Sequence, residues 1–149
     1  MEIEKWNKQD NIFDGYLEKI YLDLDRCDVF FIRDKGYAVL NHAPKYAFYK
    51  RLGIAEIQDI FTLPNMRGQG VATALIAHCE AQVEGDMVGI SVPVSPQFGV
   101  AQQLYFKLGY APDGNGVTYD REMLRHGQMV KCDDDLCMML VKNLNLNQR

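Results

Sequence analysis

Residues 54–82, IAEIQDIFTLPNMRGQGVATALIAHCEAQ, constrain this chain more than any other stretch. Ile54, Ile57, Ile60 and Phe61 predict a buried strand over residues 54–63, and Pro64 ends it because proline cannot continue a central ladder. From Gly70 the pattern turns helical: Val71, Leu75, Cys79 and Val83 recur every fourth residue, with Ala72 and Ile76 beside them. A strand, a turn with two glycines and a helix start together make a device for holding anions. Glycine lets backbone approach a ligand closely, the first helical N–H groups have no internal partners, and the macrodipole favours negative charge there. Arg67 adds a fixed positive charge suited to phosphate oxygens. The stretch therefore predicts a phosphorylated ligand.

Two familiar phosphate motifs do not fit. A P-loop needs a lysine and a hydroxyl after its second glycine, where this turn has Val71-Ala72. A dinucleotide fingerprint needs a third glycine where Thr73 stands, and an acidic residue where the next strand ends in Val92-Pro93-Val94-Ser95. The segment does resemble the pyrophosphate-binding pattern of the GNAT superfamily, the acyl-CoA-dependent N-acetyltransferases, which reads Arg/Gln-x-x-Gly-x-Gly/Ala and often has a proline three residues earlier. Arg67-Gly68-Gln69-Gly70-Val71-Ala72 and Pro64 match it without a gap. A second stretch, Ala101-Gln102-Gln103-Leu104-Tyr105-Phe106-Lys107-Leu108-Gly109-Tyr110, resembles the same family's Ala-x-x-Leu-Tyr-x-x-x-Gly-Phe signature. The resemblance spans residues 54 to about 112. It implies an α/β fold, a mixed and mostly antiparallel central sheet flanked by helices, with residues 1–149 as one N-acetyltransferase domain.

With 149 residues, one domain and one core are expected. The net charge of −4 argues against a general nucleic-acid or anionic-membrane partner. No apolar run reaches the roughly twenty residues that span a bilayer, and MEIEKWNKQD is no signal peptide, so the expected location is cytoplasmic. Cys27, Cys79, Cys132 and Cys137 form no C-x-x-C pair and have no histidine at finger-like spacing; no metal site is expected. Cys132 and Cys137 flank an acidic run, but reduced thiols are the expectation for such a protein.

Along the rest of the chain, Ile12, Phe13, Tyr16, Leu17, Ile20, Tyr21 and Leu24 have helical spacing over residues 11–24. Residues 28–33 and 36–41 read as two strands about a tight turn, the first too apolar to have a wet face. Residues 42–51, with Pro44 and several aromatics, read as a loop or irregular edge. Gly85 should close the helix that starts at Gly70, and residues 87–94 form the next strand. A helix then runs from about Phe98 to Gly109. Pro112-Asp113-Gly114-Asn115-Gly116 reads as a turn-rich connection. Residues 117–122 and 136–141 should form a closing antiparallel pair, separated by a longer loop.

Acyl transfer from a thioester to an amine needs a held cofactor, a deprotonated nucleophile, a stabilised oxyanion and a protonated leaving thiolate. By resemblance the backbone of Arg67, Gly68, Gln69, Gly70, Val71, Ala72 and Thr73 surrounds the pyrophosphate of acetyl-CoA, and the strand end at Thr62 and Leu63 pairs with the pantetheine arm. The same region would supply the oxyanion donor. Tyr105 is the candidate general acid: its place in the family signature implies the role, and a phenol with pKa about 10 is near-matched to an alkyl thiolate. A packing aromatic is the alternative. Glu56 is the candidate base, because counting back in twos from Thr62 puts Ile60, Gln58 and Glu56 on one side of the strand. The alternative is a solvated charge; Asp59 would face the other way unless a bulge intervened. Phe98 departs from the family pattern, which often has asparagine there, and is expected to be a packing contact. The acidic patches at residues 23–28 and 133–135 read as solvated loops. The expected activity is N-acetylation of a primary amine, on a small molecule or a protein, by direct attack in a ternary complex. The other reading is a non-catalytic acyl-CoA-binding or interaction module. Edge strands near the C-terminus are compatible with a homodimer.

Overall fold

The computed structural model describes residues 1–7, 12–13 and 24–145. Its strands are β1 (Glu4–Lys5), β2 (Cys27–Ile32), β3 (Gly36–Asn41), β4 (Ala55–Thr62), β5 (Met87–Pro93), β6 (Ala111–Tyr119), β7 (Glu122–Met123) and β8 (Leu136–Asn143). Helices α1 (Ala47–Leu52), α2 (Val71–Ala81) and α3 (Gly99–Lys107) join them. The strands form one sheet in the order β1-β2-β3-β4-β5-β8-β6-β7. Only β4 and β5 run parallel; every other neighbouring pair is antiparallel.

Each face of the sheet has its own apolar cover, as expected where a strand such as β2 is apolar throughout. Phe30, Ile32, Leu40, Ile57, Val88 and Ile90 point to the face carried by α2, where Val71, Leu75, Ile76 and Cys79 meet them. Tyr105 from α3 is buried in that same cluster. Alternate residues point the other way. Val29, Phe31, Tyr37 and Val39 form one cluster there, with Ile12 buried in it and Phe13 and Leu24 packed against it. The helix expected over residues 11–24 otherwise lies outside the described residues. Tyr46, Tyr49, Ile54, Cys137 and Met139 form a further cluster on this face.

Several expectations are corrected. Residues 42–51 hold a short helix, α1, rather than an irregular edge; six residues are too few for a periodic signal. Gly53 ends it at φ 68°, donating to Lys50 O at 3.4 Å while Ile54 N–H reaches Tyr49 O at 2.9 Å. Helix α2 stops at Ala81 with Gln82 as its cap, so Gly85 does not close it. The turn-rich stretch after Tyr110 lies inside β6, which starts at Ala111 rather than 117. Its pairing with β8 jumps from Pro112↔Leu140 to Val117↔Met138, so residues 113–116 bulge while the strand continues.

Candidate active site

The parallel contact between β4 and β5 is brief. It covers Ala55↔Val88, Glu56↔Gly89 and Ile57↔Ile90, yet β4 continues to Thr62 and β5 to Pro93. Beyond Ile57 the two strands part, and β4 is paired on its β3 side only. The edge facing the gap therefore offers unpaired backbone N–H and C=O groups to an extended ligand.

The parting is reinforced by a bulge in β4. Val39 pairs with Gln58 and Tyr37 with Phe61, so two steps on β3 oppose three on β4. Asp59 takes the extra step at φ 51°, a left-handed conformation that aspartate tolerates better than most side chains. The bulge overturns the count in twos from Thr62. Ile60 packs with Ile57 into the α2-side core, whereas Phe61 joins the cluster on the opposite face. Alternation then leaves Thr62 on the α2 side and Glu56 with Gln58 on the other.

At the end of β4, Leu63 N–H donates to Lys35 O at 2.8 Å, and Pro64–Met66 make one 3-10 turn. Gly68 (φ 74°) and Gly70 (φ 82°) then lead into α2. Neither glycine has a heavy atom within 4 Å of where a Cβ would stand. Their left-handed backbone and the room above it, rather than a protein neighbour, account for glycine at both positions. The first backbone bond into the helix runs from Ala74 N–H to Gly70 O at 3.0 Å, which leaves the N–H groups of Val71, Ala72 and Thr73 without helical partners. Among the described residues no backbone carbonyl accepts from Gly68, Gln69 or Gly70 either. Arg67 Nε rests on Thr62 O at 3.2 Å, placing the guanidinium beside these donors. The chemistry of this donor set fits a pyrophosphate.

Tyr105 and Glu56 lie on opposite faces of the sheet. Helix α3 is tied to the end of β5 by Gln102 Nε2, which donates to Pro93 O at 2.8 Å and Ser95 O at 3.2 Å. Tyr105 is 7% exposed, and burial alone pushes its hydroxyl up to about 12, above the match to a thiolate expected of a free phenol. Phe98, partly buried, packs against the same core. Glu56 is no solvated charge: it is 1% exposed. Its Oε2 accepts from Ser91 Oγ at 3.0 Å and from Arg121 Nη2 at 2.8 Å; Arg121 also reaches Ser91 Oγ at 3.1 Å. Among the described residues Oε1 has no hydrogen-bond donor. Burial raises the Glu56 carboxyl above its ordinary range; Arg121 and Ser91 oppose the rise without cancelling it.

Sequence reasoning passed over Ser91, Arg121 and Tyr49. Ser91 had a readable signal, a small polar residue between Ile90 and Val92 in an apolar strand. Arg121 had none, since it meets Glu56 across 65 residues of chain. Tyr49 crosses beneath β5, donating to Leu140 O and to Ile90 O at 3.4 Å, and its ring occupies the space a side chain at Gly89 would fill. A separate pocket of about 350 Å³, lined by Arg26, His42, Lys45, Tyr49 and Lys50, sits where β4 begins, far along the strand from the glycine turn. Among the described residues no group of three or more His, Cys, Asp or Glu could hold a metal ion, and no helix is long and apolar enough to cross a membrane.

Known structures share this fold. A Klebsiella pneumoniae protein described as a candidate acyl-CoA N-acyltransferase superposes with a TM-score of 0.62 at 18% identity, over 96% of this chain and 97% of that one. An IAA acetyltransferase from Bacillus cereus gives 0.65 at 17% identity, over 96% and 99%. A spermidine N-acetyltransferase SpeG chimera from Vibrio cholerae and hSSAT gives 0.56 at 16%, over 84% and 71%. At these identities the likeness is one of fold. No functionally curated protein matches the chain. The family model for the acetyltransferase (GNAT) domain matches residues 25–112, from the start of β2 through the glycine turn and α3. That match takes in more than half of the 149 residues and both signature stretches: the chain belongs to the GNAT acetyltransferase family.

Proposed function

We propose that this protein transfers an acetyl group from acetyl-CoA to the nitrogen of a primary amine, by direct attack within a ternary complex. The observation that carries the reading is the parting of β4 from β5 beyond Ile57, leading straight into an open glycine turn at the start of α2. Residues 67–73 would hold the pyrophosphate by backbone N–H groups and Arg67, and the free edge of β4 up to Thr62 would pair with the pantetheine amides; the backbone groups of Leu63 are already taken, its N–H by Lys35 O and its C=O by Met66 N–H. Acetyl-CoA supplies the activated thioester carbonyl.

In the reaction the amine nitrogen attacks that carbonyl carbon and gives a proton to the Glu56 carboxylate, directly or through one water. An N–H on the free edge of β4 stabilises the oxyanion. The C–S bond then breaks, and Tyr105 protonates the leaving thiolate. Burial lifts the Tyr105 hydroxyl to about 12, so its proton passes to the thiolate uphill. Cys79 is no rival nucleophile: it is fully buried on α2, and burial pushes its thiol up to about 12.

The acceptor is proposed as an amine because two carboxylates, Glu56 at the end of the paired stretch of β4 and Asp59 in its bulge, stand close to where the strands part. The test is thermal unfolding of ligand-stripped protein with acetyl-CoA, CoA, NADH and ATP, followed by an amine screen. A ligand at a hundredfold excess over Kd adds roughly 2.7 kcal/mol to the native state, a readable shift. A shift with the CoA species and acetylation of any amine support the reading. A larger shift with NADH overturns it, and CoA binding without transfer to any amine leaves a binding module.

A further inference from the structure

We propose that Arg121 is the positioning residue for Glu56: from the tip of the β6–β7 hairpin its guanidinium, with Ser91, holds Oε2 and orients the carboxylate toward the acceptor. The inference rests on Glu56 being the base.

The hairpin is built around this contact. Tyr119 pairs with Glu122, so Asp120 and Arg121 are the two turn residues. Both are left-handed, at φ 48° and 67°. Such turns ordinarily use Asn-Gly or Asp-Gly, because a long side chain in this conformation is strained. Arginine occupies the glycine place here, and its guanidinium closes a three-membered hydrogen-bond ring with Glu56 and Ser91. Only 21% of the Arg121 side chain is exposed. The turn is held besides by Asp120 N–H on Asp135 O at 3.0 Å and by an exposed Lys45–Asp120 ion pair at 3.0 Å, while β7 has two residues, both exposed.

The charges around Glu56 make Arg121 decisive. Asp59 in the β4 bulge, Tyr49 in α1 and Cys137 in β8 are near enough to feel its charge, and Ser91 in β5 donates to it. Among these described groups Arg121 is the sole cation. Burial and Asp59 both favour the protonated, catalytically idle carboxyl; Arg121 opposes them. Because Arg121 and Ser91 both engage Oε2, the pair also fixes the carboxylate so that Oε1 is left to accept a proton.

The experiment is a carbon-13 NMR titration of protein labelled at the glutamate carboxyls, with the Glu56 resonance assigned by its loss in Glu56→Gln. Arg121→Gly removes the guanidinium and relieves the turn, so a purely structural role would leave the carboxyl's titration alone. The expected result is a midpoint raised by about one unit or more in Arg121→Gly, largely restored in Arg121→Lys. The acid limb of kcat/KM for amine acetylation should move with it, while KM for acetyl-CoA stays put. An unmoved midpoint in folded Arg121→Gly overturns the proposal. If that variant does not fold, Arg121→Gln decides in the same way, since it keeps hydrogen-bond donors without charge. The base reading fails separately: an acid limb that persists in Glu56→Gln excludes Glu56 whatever Arg121 does. Loss of the limb in Glu56→Gln with an unmoved midpoint in the Arg121 variants removes only the positioning role.

Discussion

Tyr105 is a core side chain to which the proposed mechanism also gives a chemical role. Its ring is part of the main core, and burial alone lifts its hydroxyl to about 12. Tyr105→Phe keeps the ring and deletes only the proton. We expect kcat to fall on the order of 10²-fold with little change in KM for acetyl-CoA, by steady-state kinetics. Unchanged turnover would take Tyr105 out of the mechanism. With a folded value near 12, Tyr105 stays protonated through the neutral range, so any alkaline limb below about pH 10 belongs to another group. Gly89 sets a different constraint. A Cβ there would stand 2.4 Å from Tyr49 Cζ, and the ring is fixed by its hydroxyl on the carbonyls of β5 and β8. Gly89→Ala should cost about 1–3 kcal/mol by overpacking, read as a lower Tm or denaturant midpoint. Adding Tyr49→Leu should recover part of it.

At the scale of elements, the turn into α2 separates stability from binding. Gly68 and Gly70 meet no neighbour, so alanine at either position costs only the left-handed backbone, about 1–2 kcal/mol. The added methyl would, however, stand in the space proposed for the pyrophosphate. Gly70→Ala should therefore remain folded with a slightly lower Tm, yet lose most of the thermal shift produced by acetyl-CoA. An undiminished shift would remove the glycines from the cofactor site. The β4 bulge is the second decisive element. One extra residue sends Thr62 and Glu56 to opposite faces, as the two-residue period of a strand requires, and it lies just beyond Ile57, the last residue of β4 paired with β5.

For the whole molecule, the thiols and one surface cluster make the fold checkable. Cys27, Cys79 and Cys137 are buried and Cys132 is exposed. Burial pushes the Cys137 thiol up to about 11, and its Sγ–H donates to Asp134 O at 3.3 Å. A native sample should show one fast thiol by reagent titration, lost in Cys132→Ser, with the other three reacting only on unfolding. Asp28 links the first strands to acid stability. Its burial works to raise the pKa, but His42 at 2.8 Å and Lys5 at 3.1 Å outweigh this and hold it below the ordinary 3.8. A depressed carboxyl stabilises the fold above its unfolded value and loses that contribution as pH falls through the folded one. Asp28→Asn should thus lower stability at neutral pH by up to about 1 kcal/mol, a difference that vanishes under strongly acid conditions.

The strand, glycine turn and helix of residues 54–82 were legible because each depends on local chemistry. Apolar runs make buried strands, glycine permits left-handed turns, and proline ends a ladder. The same holds for α3, whose periodicity and terminal Gly109 at φ 100° mark its extent. Helix α1 escaped because six residues carry no period, although Lys50, Arg51 and Gly53 were its stop signal. A β4 bulge was an open alternative that the sequence could not decide, because Asp59 is an ordinary strand residue to read; only pairing against β3 shows two steps spaced against three. Sequence by itself thus determined the family, the strand–glycine turn–helix unit and the identity of Tyr105 and Glu56 as candidates. Tertiary structure alone decided that Glu56 is buried, faces away from Thr62 and meets Arg121. The physical reason is that a carboxylate's environment is set by charges brought together across the sheet, and no local pattern encodes a contact between residues 65 positions apart.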